Sequence, residues 1–521
     1  MNDQREAIRS NAKYLRNVRP IDPDEICTYV PDDPHPAVVR QHLREDAVDL
    51  GLLERDDGTF VPVTEEPVSP RTEPVRSIPS AYEQRLEDLL VERYGVNWHE
   101  DATGDLLRST IRRFKSNYLA GRPVEYDEDV AAGYAIYHLP GYYAAAQYAL
   151  DDLAERGRLG RRLRVLDIGA GVGGPAIGLC EYLPDDALLE YHAVEPSSAA
   201  DILDGLLDET GRNVHSTIHR TTAEAFDPTA VDETGTFDPT LPDDGFDLVL
   251  ACNVLSELED PVSVARSALE SLAPDGTMLA MAPADKNTSI QLREVERELE
   301  DERVGGQDDR RGPVTVYGPT VRLWGTDRPS DRGWTFDARP DLEVPSFQRR
   351  LDDATPESDA DHAPDEFVNV DVQFSYAMLR LDGARRVDVT LETADWAKMA
   401  EMDRHVPNRI DLVAAKLSRS LSAGGGETTG SGRDGGAESQ SGSDSSGNSG
   451  SRANPVFKIS DGSESIDHYA VLTKETSLNR PLLEAEYGDL CSFERALALW
   501  NDDEGAYNLV VDGETIVDRI A

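Results

Sequence analysis

Residues 165–174 read VLDIGAGVGG, placing Gly169, Gly171, Gly173 and Gly174 directly after a hydrophobic run. Glycines at this spacing let a strand turn tightly into a helix and let the backbone approach a ligand closely. The spacing also satisfies GxGxxG, so a dinucleotide site is one reading. Two carboxylates favour another. Asp167 stands just before the first glycine, where dinucleotide strands usually carry an apolar residue. The next run, LEYHAVEP, ends in Glu195, where a carboxylate can grip both hydroxyls of a ribose. An acid at each of the first two strand ends suits a nucleoside ligand without pyrophosphate. S-adenosylmethionine is therefore expected, with Asp167 near its amino-acid portion and Glu195 on its ribose.

Later segments extend the site. TTAEAF sets Ala223 and Glu224 after a third strand, against the adenine. GFDLVLACNVLSEL is a fourth strand whose end, Cys252-Asn253-Val254-Leu255, faces the methyl group. LAPDGTMLAMAP reads as a hairpin-like entry to a fifth strand. Methyl transfer from a sulfonium needs alignment and desolvation more than acid–base machinery. Cys252 and Asn253 are the catalytic candidates by position alone. Base-amine enzymes usually follow the asparagine with Pro-Pro-aromatic, whereas Val254 and Leu255 follow it here. Carbon-5 pyrimidine enzymes place a nucleophilic cysteine at this strand end, and Cys252 has that location. A small buried strand cysteine is the plainer reading.

The elements that position these residues set the fold class: α/β, with a doubly wound class I methyltransferase sheet. Residues 161–400 are expected to form that domain, with an irregular insertion at 284–365. Residues 1–75 show two helical patterns and a hairpin turn at Asp57-Gly58, a winged-helix-like order. Residues 76–160 read as helical and lead into the core. The Gly/Ser-rich stretch 422–453 reads as a flexible linker, and 454–521 as a small β-rich domain.

Composition narrows the setting. Acidic residues number 100 against 52 basic ones, a formal charge of −48, and only seven of the basic residues are lysine. A dispersed acidic surface suits a salt-rich cytoplasm, where screening shortens charge repulsion to about 3 Å at 1 M. A cytoplasmic, halophilic protein is expected. A disordered acidic chain is excluded because 39% of residues are hydrophobic and fall into periodic runs. No signal-peptide core or 18-residue apolar run occurs, so no membrane partner is expected. So acidic a chain is also not expected to read DNA sequence.

Beyond these motifs, YAIYHLPGYYAAAQYAL ahead of the glycine loop, ACNVLSEL, and GWTFDARP after the sheet carry a resemblance. Over about residues 110–400 the chain resembles the methyltransferase-like proteins of small ribosomal subunit assembly, known from mitochondria, archaea and bacteria. The resemblance implies S-adenosylmethionine binding and a role on the small ribosomal subunit and its rRNA. That role is either rRNA methylation or assembly with the cofactor as a structural ligand. A small-molecule methyltransferase is the further alternative. RNA contact would draw on Arg156, Arg158, Arg161, Arg162 and Arg164, on Arg322, Arg328, Arg332 and Arg339, and on stacking by Trp324, Trp334 and Phe336. A second basic stretch, RSTIRRFKSNYLAGRP, has Arg108, Arg112, Arg113, Lys115 and Arg122 around Phe114 and Tyr118.

Many members of that family carry a cysteine cluster before a Trp-Cys-His-Phe segment, which holds an iron–sulfur centre. Here the matching region reads VRLWGTDRPSDRGWTF, and the four cysteines are Cys27, Cys180, Cys252 and Cys491. Without thiolate ligands no cluster forms there, and no metal is expected. Anaerobically purified protein should therefore lack absorption at about 400 nm and carry no bound iron above background. Stoichiometric iron and labile sulfide would overturn this.

Overall fold

The computed structural model describes residues 2–120, 122, 124–228, 241–242, 244–304, 311–325, 335–423 and 453–520. The chain opens with helices α1 (Asn2–Leu15), α2 (Pro23–Cys27), α3 (Pro36–Glu45) and α4 (Ala47–Leu50). Strands β1 (Leu52–Glu54) and β2 (Phe60–Pro62) then pair antiparallel, as the hairpin turn predicts. Ile8, Ile26, Val39, Leu43 and Phe60 close a small core. Ala47, Val48 and Leu53 pack on Leu188 of the central sheet, and the Glu54 N–H donates to the Asn213 side-chain oxygen at 2.9 Å.

Three helices follow: α5 (Ser80–Tyr94), α6 (Asp101–Leu119) and α7 (Glu128–Ala154). Asp127 caps α7 by accepting from the N–H groups of Asp129 and Val130. The leader motif lies wholly within α7, which is buried along most of its length. Its alanines and glycines let neighbouring backbones come close.

The central sheet starts with β3 (Arg162–Ile168), α8 (Gly174–Tyr182), β4 (Leu188–Val194), α9 (Ala199–Leu207), β5 (Val214–His219) and β6 (Phe246–Cys252). It continues through α10 (Pro261–Glu270), β7 (Leu272–Pro283), α11 (Lys286–Leu299), β8 (Thr315–Gly318), β9 (Asp337–Arg339), α12 (Ser346–Asp353) and β10 (Val372–Arg380). The strand order is β5-β4-β3-β6-β7-β10-β8, with β9 on β10. The first five strands are mutually parallel, and β10 runs antiparallel to its neighbours. Leu163 and Val165 face the core under α7 and α8, while Leu166 and Ile168 face the core under α10 and α11. Both faces are covered, so the strands read as continuous hydrophobic runs.

Two expectations are corrected here. LAPDGTMLAMAP forms one long strand, β7, with a register shift against β6 rather than a hairpin. The irregular stretch 284–365 contributes β8, an edge strand, and β9. Strands of three or four residues are too short to show alternation.

The third unit comprises β11 (Arg409–Lys416), β12 (Val456–Ser460), β13 (His468–Leu472), α13 (Pro481–Glu484), β14 (Leu490–Asn501), β15 (Ala506–Val511) and β16 (Ile516–Arg519). Its order is β11-β12-β13-β15-β14-β16; β11–β14 pairing closes the first five into a ring, β16 lies on β14, and β13 and β15 are parallel. A five-stranded barrel in the order 1-2-3-5-4-1 has OB-fold connectivity. This moves a boundary: β11 precedes the stretch read as an interdomain linker, so 422–453 joins two strands of one barrel. Most of that stretch, 424–452, lies outside the described residues. Among the described residues, no helix is long and apolar enough to cross a membrane.

Helices α7 and α8 meet closely through glycines. A Cβ at Gly178 would stand 2.6 Å from the Tyr143 carbonyl oxygen, and one at Gly174 would stand 2.8 Å from Tyr142 Cβ. The backbone cannot yield as a side chain does. Gly178→Val is expected to destabilise the protein by about 3 kcal/mol, read as a lower guanidinium midpoint in molar KCl.

Candidate functional site

The carboxyl ends of β3, β4 and β6 open onto one cleft. Gly169, Ala170, Gly171, Val172, Gly174 and Pro175 form its floor, and Glu195, Pro196 and Ser197 form one side. Thr222, Ala223 and Glu224 border it after β5, and Cys252, Asn253 and Val254 after β6. Tyr126, Tyr134, Tyr142 and Glu257 complete the rim.

The glycine loop has the shape its composition predicts. Gly169, Gly171 and Gly173 all have positive φ, at 67°, 56° and 90°. A Cβ at Gly169 would strike Val254 at 2.4 Å, and one at Gly173 would strike Leu203 at 2.6 Å. At Gly171 the nearest atom to such a Cβ is 4.0 Å away, so this position faces the open cleft. Packing demands two of these glycines, and ligand space the third.

Glu195 ends β4 with its carboxylate tied on both oxygens. Oε2 accepts from the Gly171 N–H at 2.9 Å, and Oε1 accepts from the Ser197 N–H at 2.9 Å and its hydroxyl at 2.5 Å. A carboxylate offers about four acceptor sites, so capacity for ligand hydroxyls remains.

Asp167 occupies a different place from its fellow acid. It sits beneath the loop, fully buried, and does not line the cleft. By strand alternation it shares the α8-facing side with Val165. Tyr191 donates its hydroxyl to Asp167 Oδ2 at 2.5 Å. Burial pushes the Asp167 carboxyl up to about 7, with Tyr191 pulling it down and Glu195 adding to the rise. Asp167 therefore stands off the cleft wall rather than along it.

The catalytic candidates divide likewise. Asn253 has a left-handed backbone, φ 61°, and its N–H donates to the Met281 carbonyl at 2.9 Å. Cys252 touches the cleft, but burial and then the neighbouring Asp167 push its thiol well above the ordinary value. It stands as a neutral thiol, unlike an activated nucleophile.

Several of the residues expected to meet RNA are engaged within the protein. Arg164 bonds Asp49 at 2.9 Å and Glu190 at 3.3 Å; Arg161 pairs with Asp186, and Arg158 with Asp382 at 3.4 Å. Arg322 meets Glu300 and Asp301, and Arg339 meets Asp337 and Glu486. Arg112 is held by Asp359 and Glu366. Trp324 is buried and donates to Asp461 at 2.9 Å, and Thr335 bonds the Tyr487 hydroxyl, so this region seats the barrel. Trp334, Arg328 and Arg332 lie outside the described residues.

Sequence reasoning missed Tyr126, Tyr134, Tyr142, Ser197 and Glu257. Tyr134, His138 and Tyr142 recur every fourth residue, which is one face of a helix. That spacing was available as a signal inside the leader motif. Among the described residues no group of three or more His, Cys, Asp or Glu could hold a metal.

Residues 166–278 match the model of a methyltransferase domain. Residues 5–56 and 400–520 match the N-terminal and C-terminal parts of a domain of unknown function, DUF8157. No curated protein matches. Among solved structures, the chain is similar to the plantazolicin methyltransferase BpumL at 14% identity and TM-score 0.22, covering 41% of this chain and 66% of that one. It is similar to the mitomycin 7-O-methyltransferase MmcR at 16% and 0.22, covering 54% and 76%. A putative rRNA-methylase from Clostridium thermocellum matches at 14% and 0.22, covering 30% and 75%. The chain thus contains a methyltransferase-like domain on a class I sheet.

Asp167 generates a pH test. The unfolded carboxyl titrates at about 4, and the folded one at about 7. Between these values the native state binds more protons, so stability falls as pH rises through the window. Asp167→Asn should remove that slope, about 1 kcal/mol per pH unit. Denaturation at fixed salt and several pH values checks it; parallel curves for variant and wild type would refute the assignment.

Proposed function

We propose that the cleft holds S-adenosylmethionine and that the protein transfers its methyl group to an acceptor entering beside α7. The observation that carries this is the pairing of Glu195 with the Gly171 N–H, a carboxylate fixed beside a position where a side chain would enter the cleft. Glu195 would hold the ribose hydroxyls, Ala223 and Glu224 would border the adenine, and Asn253 and Val254 would back the reacting side. The bound group would supply a methyl on a sulfonium, whose transfer depends on alignment and on keeping water out.

The acceptor we assign is small-subunit rRNA. Two features support this: the leader that carries the family resemblance supplies Tyr134 and Tyr142 to the cleft, and the barrel has a connectivity often used for oligonucleotides. A small-molecule acceptor is the second reading, favoured because no Lys, Arg or His lines the cleft among the described residues.

Calorimetry in molar KCl tests the ligand. Glu195→Ala should weaken S-adenosylmethionine binding by about 2 kcal/mol or more, and Gly171→Val by more still. Unchanged affinity in either variant would sink the site. Sedimentation of cell extracts tests the acceptor: the protein should travel with immature small ribosomal subunits. Absence from all ribosomal particles would move the small-molecule reading forward. If Glu195→Ala protein restores subunit maturation in a deletion strain without methyl transfer, assembly rather than catalysis is the main role.

A further inference from the structure

The cleft rim opposite the glycine loop is aromatic and acidic. Tyr134 and Tyr142 bring their hydroxyls to 3.2 Å, and the Tyr126 ring lies 5.5 Å from Tyr134. Behind them His138 stacks on Tyr142 with ring centres 5.3 Å apart. Burial and then Lys115 push His138 down to about 3, so it is a neutral packing group.

Tyr126 donates its hydroxyl to Glu257 Oε1 at 3.0 Å. Among the described residues three carboxylates line the cleft, Glu195, Glu224 and Glu257. Glu195 is committed to the glycine loop and Ser197. Glu224 follows β5. Glu257 is bonded to a rim tyrosine, on the turn after β6 that borders the expected methyl position. Electron-rich rings and a carboxylate stabilise positive charge that develops on a nitrogen as it takes a methyl group, whether that nitrogen belongs to a nucleobase or to a small molecule.

We propose that Tyr126, Tyr134, Tyr142 and Glu257 form the acceptor subsite, that it takes an amine nitrogen, and that Glu257 receives the proton this nitrogen sheds. In the transfer the nitrogen gains a bond to the methyl carbon, and the carbon–sulfur bond breaks with its electron pair kept on sulfur. The released N–H proton goes to the Glu257 carboxylate. Burial, with the charge of Glu195 adding, raises the Glu257 carboxyl above the ordinary value, while Tyr126 pulls it back. A raised carboxylate is the better proton acceptor.

This inference rests on the S-adenosylmethionine reading, and two probes separate the two. Sinefungin carries a protonated amine where S-adenosylmethionine carries its methyl; S-adenosylhomocysteine carries nothing there. By calorimetry on the full chain, sinefungin should bind about tenfold more tightly than S-adenosylhomocysteine. Glu257→Gln should reduce that preference to about threefold or less while leaving S-adenosylhomocysteine affinity unchanged. Tyr126→Phe should retain most of the preference, because the carboxylate remains. If Glu257→Gln does not fold, Glu257→Asp replaces it, with the preference again expected to shrink. If both probes bind and the preference is absent in wild type or survives in the Glu257 variant, the subsite is overturned. If neither probe binds wild type, the ligand reading itself fails and this inference with it.

Discussion

Glu195 holds the site together before any ligand arrives. Three residues of the glycine loop have left-handed backbones, conformations open to many alternatives in an unfolded chain. A charged acceptor on the Gly171 N–H selects one of them, and the same carboxylate fixes Ser197 at the start of the next turn. The end of β4 thereby sets the entry to α8. Because α8 meets α7 through Gly174 and Gly178, the position of α7 and of its tyrosines follows. One carboxylate thus organises both the floor of the cleft and, at one remove, its rim. The site is ordered in advance, which lowers the entropy lost on binding.

The charge balance acts on the same architecture from outside. With 100 acidic and 52 basic residues, most arginines have carboxylates within reach. Arg112, Arg322 and Arg339 each join two acids and Arg164 joins three, and several of these pairs tie one element to another. Exposed pairs of this kind contribute little singly, but partly buried Arg forks fix geometry. The outer field stays acidic. At high salt that field is screened within a few ångströms, and phosphate contacts lose strength as well. Under such conditions shape, ring contacts and the local charge of the cleft outweigh the outer field.

The sheet and its ligand-facing loop were legible because their signals are local. Buried parallel strands read as unbroken apolar runs, and Gly169, Gly171 and Gly173 mark a turn whatever follows. Glu195 was legible because it ends a strand. Asp167 lies two residues before the glycines yet points beneath them, since the alternation of β3 sends it toward Tyr191. Proximity in sequence had stood in for proximity in space. The ion pairs of the arginine clusters were hidden for a related reason: their partners, such as Asp49 for Arg164 and Glu366 for Arg112, lie far away in sequence. The barrel boundary was hidden by the Gly/Ser stretch, which separates β11 from strands it pairs with.

The barrel and the cleft meet on one helix. Tyr376 of β10 donates to Asp152 near the end of α7, and Arg386 bonds Asp152 at 3.2 Å and approaches Asp489 of the barrel at 3.9 Å. The Tyr487 ring lies 6.0 Å from that of Tyr376, and barrel residues Val413, Ala415 and Leu490 share the core that holds α7. The C-terminal end of α7 is thus fixed against the barrel, while Tyr134 and Tyr142 nearer its start wall the cleft. Pro140, between Tyr134 and Tyr142, removes one bond of the α7 ladder, so the unbroken stretch of helix runs from Tyr142 to Asp152. Through that stretch the barrel bears on the position of Tyr142 and so on the width of the cleft.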